Sequence, residues 1–138
     1  MRKHWLMGLF CVLTFVVSPA YARTPVPVVN YDGLFVATAS GTLPSIEQIK
    51  SAILAGAARA GWSSVLQGDN TIISTLVVRN KHTVVVQIPF SPTQYSIKYY
   101  NSINMKAVDK NGQMVIHPFY NTWVDALRNA IHLELQKY

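Results

Sequence analysis

The chain has 138 residues, twelve of them Lys or Arg against six Asp or Glu, for a formal net charge of +6 at pH 7. Its length fits one domain and excludes two, and its single cysteine, Cys11, excludes a disulfide framework. The basic residues form no run, which weighs against nucleic acid as a partner, since that would want a clustered basic stripe.

Arg2 and Lys3 give a positive start, Trp5 to Val17 is nearly all apolar, and Ser18-Pro19 leads into Ala20-Tyr21-Ala22. That order is the pattern of a secretory signal peptide over residues 1–22, with cleavage expected after Ala22. The apolar run is shorter than the roughly 20 residues of a membrane span. No second such run follows, so no transmembrane segment is expected in the mature chain. Removing 22 of 138 residues leaves 116, with ten basic residues against six acidic ones and no cysteine. The mature protein is then expected in the periplasm or fully secreted, without disulfide, thiolate ligand or lipid anchor. Its scattered charge reads as an ordinary solvated surface.

Residues 23–41 open with TPVPVV, whose two prolines favour an extended arm or at best an edge strand. Leu34 to Ala39 could add a short strand. A single α+β domain is expected over residues 42–138. Its first helix starts at Ser45, with Gln48 three residues on as in a capping box. A stripe follows at Ile46, Ile49, Ile53, Ala57 and Ala60, and Gly61 is a natural stop.

Two strands are expected at Thr71 to Arg79 and His82 to Phe90. A two-residue loop, Asn80-Lys81, would pair Arg79 with His82 and leave both sheet faces apolar. Tyr95 to Met105 alternates as a half-buried strand, with Tyr95, Ile97, Tyr99, Asn101 and Ile103 on one side. Asp109-Lys110-Asn111-Gly112 is a turn, and Gln113 to Ile116 a short return strand. A last helix runs from about Pro118 to Gln136 on a stripe of Tyr120, Trp123, Leu127, Ile131 and Leu135. The expected fold is a two-layer α+β domain in α-β-β-β-α order, a three- or four-stranded antiparallel sheet with two helices on one face.

No catalytic motif stands out, and the acidic residues form no pair at a spacing suited to two-carboxylate catalysis. No catalytic residue, metal ligand set or cofactor is assigned. Binding candidates are His117, Tyr120, Asn121, Tyr100 and Lys98. His117 precedes Pro118, which pushes it to extended backbone at a helix start, where the helix dipole disfavours imidazolium. A neutral ring with a lowered pKa is expected, either joining strand to helix or serving proton transfer beside Tyr120. Tyr100 and Lys98 share the more polar face of their strand and could form part of a partner surface.

Four stretches together resemble small uncharacterised exported proteins and lipoproteins of Gram-negative bacteria: AILAGAARAGW (Ala52 to Trp62), RNKHTVVVQI (Arg79 to Ile88), YSIKYYNSINM (Tyr95 to Met105) and IHPFYNTWVDAL (Ile116 to Leu127). The resemblance implies an envelope location and a compact α+β domain, and no activity. This chain departs from the lipid-modified members in having no cysteine after the cleavage site. The functional expectation is a non-enzymatic binding module of the cell envelope, for a protein or a small ligand. The alternatives are a small envelope-acting hydrolase using His117 and Tyr120, or a metal or ligand carrier using the histidines.

Overall fold

A computed structural model describes residues 23–138; residues 1–22, where a signal peptide is expected, lie outside the described residues. The elements in chain order are β1 (Val26–Pro27), β2 (Tyr31–Phe35), α1 (Ile46–Arg59), β3 (Ser63–Leu66), β4 (Thr71–Val78), β5 (His82–Pro89), β6 (Gln94–Ile103), β7 (Val108–Lys110), β8 (Gln113–Ile116) and α2 (Phe119–Leu135). They form two antiparallel sheets, one of five strands in the order β2-β6-β5-β4-β3 and one of three in the order β1-β8-β7. The α+β class is as expected. The single sheet of three or four strands and the α-β-β-β-α order are not, because two strands precede α1 and the strands divide between two sheets. The short strand expected at Leu34 to Ala39 lies earlier, at Tyr31–Phe35, and the unexpected members are short and half polar or more: Ser-Ser-Val-Leu in β3 and Val-Asp-Lys in β7.

Both ends of α1 follow from local chemistry. Ser45 Oγ accepts from the Gln48 N–H at 3.1 Å while Gln48 Oε1 accepts from the Ser45 N–H at 2.9 Å, the reciprocal capping box. At the other end Gly61 sits at φ +88°. The Trp62 N–H donates to the Ala57 carbonyl and the Gly61 N–H to the Ala58 carbonyl, which is a Schellman motif. That turn sends Trp62 into the core, where it is buried.

The core joins Ile49 and Ile53 of α1 and Leu127 and Ile131 of α2 to one face of the large sheet, through Ile72, Val84, Val86, Ile88 and Ile97. Each such side chain contributes roughly 1.5–3 kcal/mol when fully buried. The helices meet backbone to backbone at Gly56, where an added Cβ would lie 2.7 Å from the Ile131 Cα. The other face of the sheet carries exposed Val65, Val77 and Ile103.

Two register details differ from expectation. The β4–β5 loop has three residues, because Val78 pairs with His82 and Leu76 with Val84. Arg79 and Asn80 both take the left-handed conformation, at φ 55° and 54°. This one-residue slip exchanges the faces of one strand relative to the other. Ile72, Ser74, Val84, Val86 and Ile88 become the buried side, and the second face is mixed rather than wholly apolar. In β6 the pairing jumps from Val85–Asn101 to Val86–Tyr99. Tyr100 is thus an extra residue in a bulge. The alternation reverses there: Tyr95 and Ile97 are buried, whereas Ile103 is 62 % exposed.

Candidate functional site

The site starts where β8 passes into α2. The His117 N–H donates to the Met105 carbonyl at 2.9 Å, and the His117 carbonyl accepts from the Tyr120 N–H at 3.0 Å. His117 Nδ1 accepts from the Phe119 N–H at 3.2 Å, so the neutral ring carries its proton on Nε2. Pro118, at φ −54°, opens the helix where its missing N–H costs nothing. Burial pushes the His117 pKa below its ordinary value of 6.5, and the neighbouring cations Arg23 and Lys106 push it the same way.

His82 arrives from the first position of β5. Its Nδ1 lies 2.8 Å from the Asn104 carbonyl. A carbonyl only accepts, so Nδ1 carries the proton and Nε2 keeps a lone pair in the neutral ring. Asn104, at φ 58°, donates from Nδ2 to the Lys81 carbonyl at 3.2 Å. These two bonds tie the β4–β5 turn to the β6–β7 connection and set His82 beside His117, with ring centroids 6.5 Å apart.

Aromatic rings complete the cluster. Phe119 lies 4.8 Å from His117 and 5.7 Å from Trp123, and Trp123 lies 6.5 Å from His82. The Arg23 guanidinium stands over the Phe119 ring at 4.4 Å, within cation–π range. Val78, Arg79, His82, Phe119, Thr122 and Trp123 line a groove of about 240 Å³.

Charge sets this groove apart. Lys50, Arg59, Lys98, Arg128 and Lys137 each have a carboxylate partner within 4.0 Å. Arg79, which lines the groove, Arg23, which stands over its Phe119 ring, and Lys81 and Lys106, in the adjoining turn and connection, have none among the described residues, and neither does Lys110 in the adjoining hairpin. The first turn of α2 holds no acidic residue, so the positive end of the helix dipole adds to these cations. Two clefts are larger. One of about 480 Å³ includes Glu47, Lys50, Asp69 and Phe90, and one of about 290 Å³ includes Phe35, Tyr95, Arg128 and His132. Lys50 and Arg128 there are neutralised by Glu47 and Asp125, so size alone is a weaker guide than unmatched charge.

The sequence-derived candidates do not form one constellation. His117 stands behind the groove, against the lining rings of Phe119 and His82, at 4.8 Å and 6.5 Å. Tyr120 points into the core, is fully buried, and its hydroxyl finds no hydrogen-bond partner among the described residues. Burial holds its pKa well above the usual phenol range. It therefore cannot act with His117 on a substrate in the groove. Asn121 clamps the N-terminal segment, accepting from the Val29 N–H at 3.0 Å and donating to the Pro27 carbonyl at 2.9 Å. Lys98 pairs with Asp32 at 3.2 Å, and Tyr100 is exposed at the β6 bulge, in the strand and not in the groove. The residues missed were Arg23, Arg79, Phe119 and Trp123, with His82 left unpaired to His117. Trp123 had been expected in the core stripe, but Val124 takes the fully buried position and Trp123 lies at the core's edge.

No group of three or more metal-ligating side chains exists among the described residues. The bond from the Phe119 N–H to His117 Nδ1 also opposes metal at Nε2, because a neutral metal-bound ring would need its proton on Nδ1. What the groove offers is apolar ring surface, one fixed ring donor, one fixed ring acceptor and a rim of unmatched cations. Compared with protein-family models, with curated proteins and with solved structures, the chain matches none.

Proposed function

We propose that this is an exported, non-enzymatic binding module of the cell envelope, and that its site is the groove at the start of α2, which takes an anionic group with an apolar part. The observation that carries this reading is a set of cations at this end without carboxylate partners among the described residues: Arg79 lining the groove, Arg23 over Phe119, Lys106 near enough to act on His117, and Lys81 in the same turn as Arg79. Cations held around aromatic surface favour a negatively charged partner by Coulomb attraction, and the rings supply desolvated contact area. Export to the periplasm or beyond, with removal of residues 1–22, is supported by the basic, apolar and small-residue order of the N-terminus. The binding reading is favoured over a hydrolase because no nucleophile or carboxylate is bonded to His117 among the described residues and Tyr120 is sealed in the core.

The test is an NMR titration of the exported protein with the N-acetylphenylalanine anion and with polyglutamate. Saturable shifts at the Trp123 indole and the rings of His82 and His117 are expected. Bound anion should also raise the His117 pKa toward or beyond 6.5, so binding tightens as pH falls through that region. Shifts confined to the cleft between Glu47 and Phe90, or none at all, overturn the reading.

A further inference from the structure

We infer that the partner of this cationic end is the anionic surface of a lipid bilayer; the inference rests on the binding reading above and names its occupant. The cations are spread over a whole end of the molecule, with Arg79 and Lys81 in the β4–β5 turn, Lys106 after β6 and Arg23 ahead of β1. Exposed apolar side chains interleave with them. Val77 and Ile103 both flank Thr83 across the sheet and are 54 % and 62 % exposed, while Phe119 is exposed on the helix side. Cations mixed with exposed aliphatic and aromatic side chains suit the headgroup region, where charge meets anionic lipid and apolar tips reach the acyl boundary. A soluble acidic protein would match the cations but gain less from an apolar rim dispersed over two layers.

The direction of the chain agrees. The 22 residues ahead of Arg23 carry the apolar run Trp5 to Val17, and Arg23 stands over Phe119 in this same end. Until a leader is removed, the chain joins the domain on the side that a membrane-held leader would bring to the bilayer. One weak lipid signal gives marginal attachment, and cations with apolar contacts together give a reversible one.

The experiment is co-sedimentation of the exported protein with vesicles of phosphatidylglycerol and phosphatidylcholine, or of phosphatidylcholine alone, alongside a polyglutamate titration. Binding to the anionic vesicles alone is expected, with a blue shift of Trp123 emission that is absent in Trp123→Phe. It should weaken as salt rises. Arg79→Gln with Lys81→Gln removes two charges and should lower partitioning roughly 25-fold, at about fivefold per charge. Equal binding to both vesicle types overturns the inference. Polyglutamate binding without vesicle binding at low salt overturns it and leaves the binding reading standing. Failure with both probes overturns the two together.

Discussion

The two ends of α2 each carry the charge that the helix dipole disfavours, and they treat it in opposite ways. Near the C-terminus the offending group is Glu134, which is buried but held by Lys137 at 2.7 Å and Arg59 at 3.4 Å. Near the N-terminus the offending groups are cations, and no carboxylate meets them among the described residues. A charge that is matched inside the fold needs nothing more. A charge left unmatched, beside aromatic rings, is what the proposed binding of an anion would use. The contrast separates a structural ion cluster from a candidate site better than residue type does, since both ends hold histidines, arginines and lysines.

The largest way to break the comparison is through the packing that both ends share. Gly56→Ala drives a Cβ into the Ile131 backbone, and neither helix can yield without moving the other. A loss of about 3 kcal/mol, on the order of 10 °C in Tm, is expected in thermal unfolding. A change below 1 °C would show that the two helices can part at Gly56 at little cost.

At the N-terminal end, Tyr120→Phe removes a buried hydroxyl that has no partner among the described residues. The variant should be more stable by about 1 kcal/mol, since an unsatisfied buried polar group is costly. It should also bind the acidic probes as wild type does. Reduced binding would return Tyr120 to the site.

At the C-terminal end, Glu134→Gln tests the matched charge. The Lys137 hydrogen bond, with the attraction of Lys137 and Arg59, outweighs burial and lowers the Glu134 pKa below 4.5. A lowered carboxylate pKa stabilises the fold above its unfolded value, and that stability is lost as pH falls through the folded value. The Tm gap between wild type and variant should therefore be present at pH 7 and close as pH falls below 4.5 and through the lowered folded value. A gap independent of pH would assign the effect to packing.

The smallest expected effect sharpens the comparison most. Arg79→Gln with Lys81→Gln should change stability by less than about 0.5 kcal/mol, as for surface residues with no internal partner. A neutral Tm with impaired anion binding would mark these cations as functional; a large Tm loss would mark them as structural.

Both helices were legible in the sequence because their signals are local. Ser45 with Gln48, then Gly61, bracket α1 within one short window, and the spacing from Tyr120 to Leu135 sets the length of α2. The strands were legible where β-branched residues run together, as in β4 and β5. They were not where serines fill half the strand, as in β3, and β2 was placed a few residues too late, because its partner β6 is distant in sequence. His117 was legible through Pro118. Its pairing with His82 was not, since it depends on Asn104 holding the far side of a turn, 22 residues from His82. The scattered lysines and arginines looked like ordinary surface for the same reason: which of them find a carboxylate is decided by the fold.

The bulge at Tyr100 has a consequence for parity. Along an unbroken strand, Ile103 would share the side of Tyr95 and Ile97 and be lost to the interior. One surplus residue changes odd for even. The second half of β6 then sends Ser102 inward, within 2.9 Å of the Tyr99 hydroxyl, and Ile103 outward. A strand that begins by building the core thus finishes by furnishing the exterior. Deleting Tyr100 would close the bulge and leave Ser102 and Ile103 on their partners Val84 and Thr83; a ladder that instead paired Tyr100 with Val85 would exchange the two, taking away the greasy edge beside Thr83 without touching a single charge.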